Sequence, residues 1–74
     1  MHQMRWESDR RYYAARVYPD MLGDWVVERA WGGLFNKKGN SQQEVVPSYK
    51  AAIAKMLAIH MERRARKYRI VMSR

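Results

Sequence analysis

Three successive runs between Arg11 and Val46 read as strands: two rich in β-branched and aromatic residues whose side chains alternate between two faces, and a third that passes from polar to apolar. Arg11 to Tyr18 sets Tyr13, Ala15 and Val17 on one face and Tyr12, Ala14, Arg16 and Tyr18 on the other. Pro19-Asp20 opens a turn that Gly23 closes, so Asp24 to Trp31 is expected to return antiparallel beside the first run. In this second run Trp25, Val27, Arg29 and Trp31 share one face, and Val26, Glu28 and Ala30 the other. Its β-branched and aromatic content predicts the central strand, and Gly32-Gly33 lets its backbone bend or bulge. Leu34-Phe35 resumes the strand before a turn at Asn36-Lys37-Lys38-Gly39, where Gly39 offers a positive φ. Asn40 to Val46 forms the third run, and Pro47 stops its ladder. Upstream, Met4 to Asp9 reads as a short edge strand or an ordered arm, with His2 in a mobile end.

After Pro47 the period changes. Ser48 is a suitable N-cap for a stretch rich in Ala, Leu, Met, Lys and Arg, which predicts a helix to about Arg66. Tyr49, Ala52, Ile53, Met56, Leu57 and His60 fall on one helical face, which is expected to close the core. Ala51, Ala54, Ala58, Met61 and Ala65 form a second stripe, explained by helix propensity or, alternatively, by self-association. Arg63, Arg64, Arg66 and Lys67 end the helix where the macrodipole favours cations. Tyr68 to Met72 reads as a last strand with Tyr68, Ile70 and Met72 on one face. The pattern as a whole predicts a single α+β domain with its core at about residues 10 to 72. Its architecture is an antiparallel four- to five-stranded sheet with one long helix packed on one face, in the order strands, helix, final strand.

Length changes this picture by limiting it. A chain of 74 residues buries only about 60% of its unfolded surface, and without cysteine it has no disulfide or thiolate-metal staple. No apolar run reaches membrane-spanning length and the first residues lack a signal-peptide core, which leads to the expectation of a cytoplasmic protein with no membrane partner. The net charge of +8 is unevenly spread: Met1 to Phe35 is neutral, Asn36 to His60 carries +3 and Met61 to Arg74 carries +5. A small domain this basic points to nucleic acid or to an acidic protein surface.

The candidate chemistry narrows the function by elimination. His2 and His60 have no partner at metal-ligand spacing, and His60 reads as a satisfied core histidine. Asp20, Asp24, Glu28 and Glu44 are scattered among turns and strands, the serines lack a nucleophile setting, and Gly32, Gly33 and Gly39 fit neither common phosphate-loop spacing. These features argue against an enzyme, a cofactor and a small-molecule substrate. What remains is a binding surface of Trp31 beside Gly32-Gly33, Arg29 on the same strand face, and Lys37 and Lys38 on the next turn. Arg66 and Lys67 provide a second group of cations. A cation for phosphate with an aromatic ring for sugar or base suits DNA, read through its structure rather than its sequence. The alternative is a protein-interaction module or a homodimer.

The Trp31-Gly32-Gly33 triplet follows Tyr12-Tyr13 and Gly23-Asp24-Trp25 and precedes a strand, a Ser48-capped helix and Tyr68-Arg69-Ile70-Val71. This order resembles the WGR domain over roughly Arg10 to Met72, most closely the small stand-alone bacterial members. In poly(ADP-ribose) polymerases that domain contacts DNA near a break, its motif tryptophan packing against a sugar at a strand end. The resemblance implies the same for Trp31 and Gly32. Gly33 departs from it, standing where the family usually has arginine.

Overall fold

The computed structural model describes residues 2–74, in which five strands and one helix follow in the expected order. They are β1 (His2–Glu7), β2 (Arg11–Pro19), β3 (Trp25–Gly33), β4 (Gly39–Val46), α1 (Tyr49–Ala65) and β5 (Arg69–Ser73). The strands form one sheet in the order β4-β3-β2-β1-β5, every neighbouring pair antiparallel. α1 crosses one face between the two edge strands, so the α+β expectation holds. No described helix is long and apolar enough to cross a membrane.

Two strands change place relative to the expectation. The middle of the sheet is β2, with β3 one position towards the β4 edge. β1 is neither edge nor arm, because β5 pairs with its outer side, and His2 lies within it opposite Val17, with its imidazole bonded to the Tyr49 hydroxyl. The core therefore begins well before residue 10. Trp6 is its largest fully buried side chain, joined by Val17 and Val27. The indole Nε1 donates to His60 Nδ1 at 3.0 Å, which satisfies the one polar atom that burying a tryptophan brings with it.

Trp6 also explains why α1 sits in a different rotation from the expected one. Ser48 caps the helix as predicted, its Oγ accepting from the Ala51 amide at 3.1 Å. The buried helical residues are Ala52, Met56 and Ile59, while Leu57 is 59% exposed. Because the Trp6 ring fills the space beneath His60, the helix rolls towards β4, where Lys55 Nζ meets Glu44 Oε2 at 2.9 Å. The roll seats Ile59 and lifts Leu57 out. Of the alanine stripe, Ala51 packs against the core, while Ala54, Ala58, Met61 and Ala65 are exposed.

The end of α1 is a Schellman-type cap: Tyr68 N–H donates to Arg63 O at 2.9 Å and Lys67 N–H to Arg64 O at 3.0 Å. This places Lys67 in the left-handed region at φ 66°. Past it, Ile70 pairs with Trp6 and Met72 with Arg5, the register shifting between these neighbouring β1 residues. Val71 is the extra residue of this bulge, so Ile70 and Met72 point to opposite faces rather than sharing one. Gly39 is corrected as well. The positive-φ glycine is Gly23, at 89°. Gly39 serves close approach, since a β-carbon there would lie 3.0 Å from the Trp31 carbonyl oxygen.

Candidate nucleic-acid interface

The β1–β2 turn, the β3–β4 turn and the C-terminal end of α1 converge at one end of the sheet around a cleft of about 970 Å³. Strand register explains the convergence. Arg11, Tyr12 and Tyr13 pair with Gly33, Gly32 and Trp31, so two cations and two rings at the start of β2 stand beside the glycine motif. Leu34 N–H then donates to Arg10 O at 2.8 Å and ties the two turns together.

Gly32 is needed because β4 comes so close: a β-carbon there would lie 2.5 Å from the Lys38 carbonyl oxygen and 3.0 Å from the Gly39 Cα. At Gly33 the obstacle is only the Asn36 side chain, at 2.5 to 2.7 Å, which is engaged in accepting the Lys38 N–H at 2.9 Å. Gly32 thus lets the start of β4 approach the cleft next to Trp31.

The floor of the cleft is aromatic. Trp31 and Tyr13 stack with centroids 5.8 Å apart and planes at 13°. The Arg63 guanidinium lies 4.2 Å over the Tyr13 ring and 5.1 Å over that of Tyr68, contacts that hold a cation against an apolar wall. Its Nη2 donates to Glu62 Oε1 at 3.0 Å, and its shielded Nε has no partner among the described residues.

The walls are cationic. Arg10, Arg11, Lys38, Arg63 and Arg66 line the cleft, and no carboxylate does. Glu62 lies just outside and compensates Arg63 at 3.0 Å and Arg66 at 3.6 Å. On β1, β2 and β3 the arginines outside the cleft are paired: Arg5 with Glu7, Arg16 with Glu28, and Arg29 with Glu44. The contrast concentrates positive potential at the cleft, where low-dielectric ring surfaces reinforce it.

The residues proposed from sequence therefore divide. Trp31, Gly32, Lys38 and Arg66 line the cleft, whereas Arg29, Lys37 and Lys67 lie outside its lining. Arg29 is the clearest exclusion, its Nη2 being 3.6 Å from Glu44 Oε1. Residues missed from sequence are Arg10, Arg11, Tyr12, Tyr13, Arg63 and Tyr68. The signal for the first four was the hairpin itself, because closing the Pro19 to Gly23 turn puts Arg11 and Tyr12 opposite Gly33 and Gly32.

The face without the helix carries different chemistry. Arg16 Nε and Nη2 donate to the two Glu28 carboxylate oxygens at 2.9 and 3.2 Å. Gln43 Nε2 and the Tyr18 hydroxyl donate to Oε2 at 2.8 and 3.2 Å. The Arg16 guanidinium first, then Gln43, holds the Glu28 carboxyl below the usual carboxylate range. This cluster uses up its own donors and acceptors and braces the sheet. Among the described residues no group of three or more His, Cys, Asp or Glu is placed to hold a metal ion. No family model, curated protein or solved structure matches the chain.

Proposed function

We propose that the chain is a non-catalytic DNA-binding module that holds the phosphate backbone in the basic cleft and sets one sugar or base against the Trp31–Tyr13 platform. One observation carries this reading: five cations and four rings line a single cleft from which carboxylates are excluded. Phosphate contacts position without reading sequence, and a ring stacks on any base, so the preference is for DNA structure. The WGR resemblance supports the same use of Trp31 and Gly32. Where that family has arginine, Gly33 faces Arg11 across the β2–β3 ladder, so a neighbouring strand supplies a cation at this place.

Fluorescence anisotropy with duplex, nicked and single-stranded DNA across a salt series tests the proposal. Three to five phosphate contacts give a slope of roughly −3 to −4.5 in log K against log salt, at about 0.9 per contact. Arg10→Gln and Arg66→Gln should each flatten that slope by about 0.9. Trp31→Ala should weaken binding about 5- to 150-fold, the worth of one stacked base, in a protein that still folds. Affinity that ignores salt, or that survives loss of Trp31 and both arginines, would remove the cleft as the site.

A further inference from the structure

Beyond the end of β3, Phe35 is 83% exposed in the β3–β4 turn. Gly33 before it and Asn36 after it both line the basic cleft, so the ring stands at the cleft's rim. The turn that carries it is pinned by three bonds. Gly33 N–H donates to Lys38 O at 3.2 Å, Leu34 N–H to Arg10 O at 2.8 Å, and Lys38 N–H to Asn36 Oδ1 at 2.9 Å. None of these bonds uses the Phe35 side chain, and the ring takes no part in the core. The fold displays a large apolar group on a fixed support without using it for packing.

Its neighbours define what such a ring can meet. Lys37 and Lys38 follow it in the same turn, and neither forms an ion pair among the described residues. The β2–β3 turn at the other end of the sheet exposes Met21 and Leu22, but between Asp20 and Asp24, which repel phosphate. Of the two, only the turn with Phe35 joins an apolar ring to cations beside the cleft. The stretch from Trp31 to Phe35 spans at most about 14 Å even fully extended, so a nucleic acid seated on Trp31 is within reach of Phe35. A base that stacks on the Trp31–Tyr13 platform leaves its neighbour in the strand without a partner on one side, and an aromatic side chain at the rim fills that gap.

We propose that Phe35 is a wedge that enters the base stack beside the nucleotide held in the cleft, while Lys37 takes the phosphate at the opened step. Burial of the exposed ring supplies the attraction, and separating two stacked bases is the cost. That cost is smallest where the stack is already weak, so the wedge selects mismatched or flexible steps over regular duplex. The wedge acts only on DNA that the cleft holds and so rests on that reading, to which it adds Phe35 and Lys37, both outside the cleft lining.

The full chain is titrated into short duplexes, fully matched or with a central thymine–thymine mismatch, that carry the fluorescent base 2-aminopurine next to the central pair. Unstacking brightens this probe. The parent should brighten it at the mismatch and bind the mismatched duplex about tenfold more tightly than the matched one. Phe35→Ala should leave the probe dark and reduce the preference to about twofold or less, with melting temperature and salt slope unchanged. Phe35→Trp should restore the signal and the preference. Lys37→Gln should flatten the salt slope on mismatched DNA by about 0.9. A Phe35→Ala protein that keeps both signal and preference overturns the wedge and leaves the cleft standing, as does a parent that binds with the cleft's salt dependence while the probe stays dark. Binding that ignores salt and survives loss of Trp31, Arg10 and Arg66 removes the cleft and the wedge together. Capture by phosphatidylserine vesicles that Phe35→Ala abolishes, with the probe dark throughout, assigns the turn to a membrane surface and also overturns the proposal.

Discussion

The two ends of the sheet are built from the same parts, a hairpin turn beside one end of the helix, yet only one of them forms a cleft. At the β2–β3 turn, Asp20 Oδ1 accepts the Leu22 and Asp24 N–H groups, both at 2.9 Å, and the Asp20 N–H donates to Asp24 O at 2.9 Å. That turn satisfies itself and leaves Met21 and Leu22 fully out in solvent. At the other end, the β3–β4 turn bonds to the β1–β2 turn through Leu34 and Arg10, and Arg63 reaches over from α1 to Tyr13. A turn closed by its own aspartate recruits nothing. Where three segments must satisfy one another, a concave surface follows, and here the side chains around it are cations and rings.

Both ends rest on one core, so removing its largest residue should release them together. Trp6→Ala is expected to cost about 3 to 5 kcal/mol, a large part of the stability of a domain this size. Leu57→Ala should stay within about 0.5 kcal/mol, as for other surface positions. Urea unfolding of the two variants measures both. A Trp6→Ala protein whose acidic tip still gives native amide shifts after the basic end has melted would show that the ends are separate units.

The glycines separate the ends next. Gly32→Ala forces its β-carbon against the Lys38 carbonyl and should cost about 1 to 3 kcal/mol through a backbone shift. That shift opens the cleft and should lower DNA affinity as well. Gly23→Ala has open space around it but keeps φ at 89°, so it should cost about 1 to 2 kcal/mol of backbone strain and leave affinity alone. If Gly23→Ala impairs binding as much as Gly32→Ala does, the ends are not functionally distinct.

How much of this was legible follows the range of each signal. The β2–β3–β4 meander and the Ser48-capped helix were readable because alternation, turn residues and caps are local. The place of β1 was not. Met4 to Asp9 has a mixed pattern, and β1 is interior rather than an edge only because Arg69–Ser73, about sixty residues further on, pairs with its outer side. The rotation of α1 was lost for the same reason, because Tyr49 to His60 holds two overlapping apolar faces and Trp6 decides between them. At the site, Trp31, Gly32, Lys38 and Arg66 could be found from one strand, one turn and one helix end. Arg63 could not, since the helix rotation that seats Met56 and Ile59 also sets it over Tyr13, and the cap at Lys67 then brings Tyr68 back to it.

The face without the helix tests whether charge outside the cleft matters to stability alone. Glu28 titrates below the usual carboxylate range because Arg16 and Gln43 bond its ionised form. A depressed native value gives stabilisation that is complete above the unfolded value of about 4.3 and lost as pH falls through the native one. In this partly exposed setting it is worth about 0.5 to 1 kcal/mol. The stability gap between the parent and Glu28→Gln should therefore be full at neutral pH and vanish in acid, with DNA affinity unchanged at neutral pH. A gap that widens in acid has the wrong sign for this cluster.

The smallest effect lies at the edge of the cleft, where Arg66 lines the wall and its neighbour Lys67 does not. Lys67 occupies the C′ position of the helix cap at φ 66°, a conformation that costs a side-chain-bearing residue about 1 kcal/mol and glycine almost nothing. Glycine gives back part of that gain through its freer unfolded chain, about 0.5 kcal/mol. Lys67→Gly should therefore stabilise the domain by about 0.5 kcal/mol. Because Lys67 stands outside the lining, the substitution should also move the salt slope of DNA binding by much less than the 0.9 or so expected for Arg66→Gln. Melting curves and salt titrations on the pair separate the two roles. A Lys67→Gly protein that is less stable than the parent and flattens the slope as fully as Arg66→Gln would place the phosphate contact at the strained cap rather than inside the cleft.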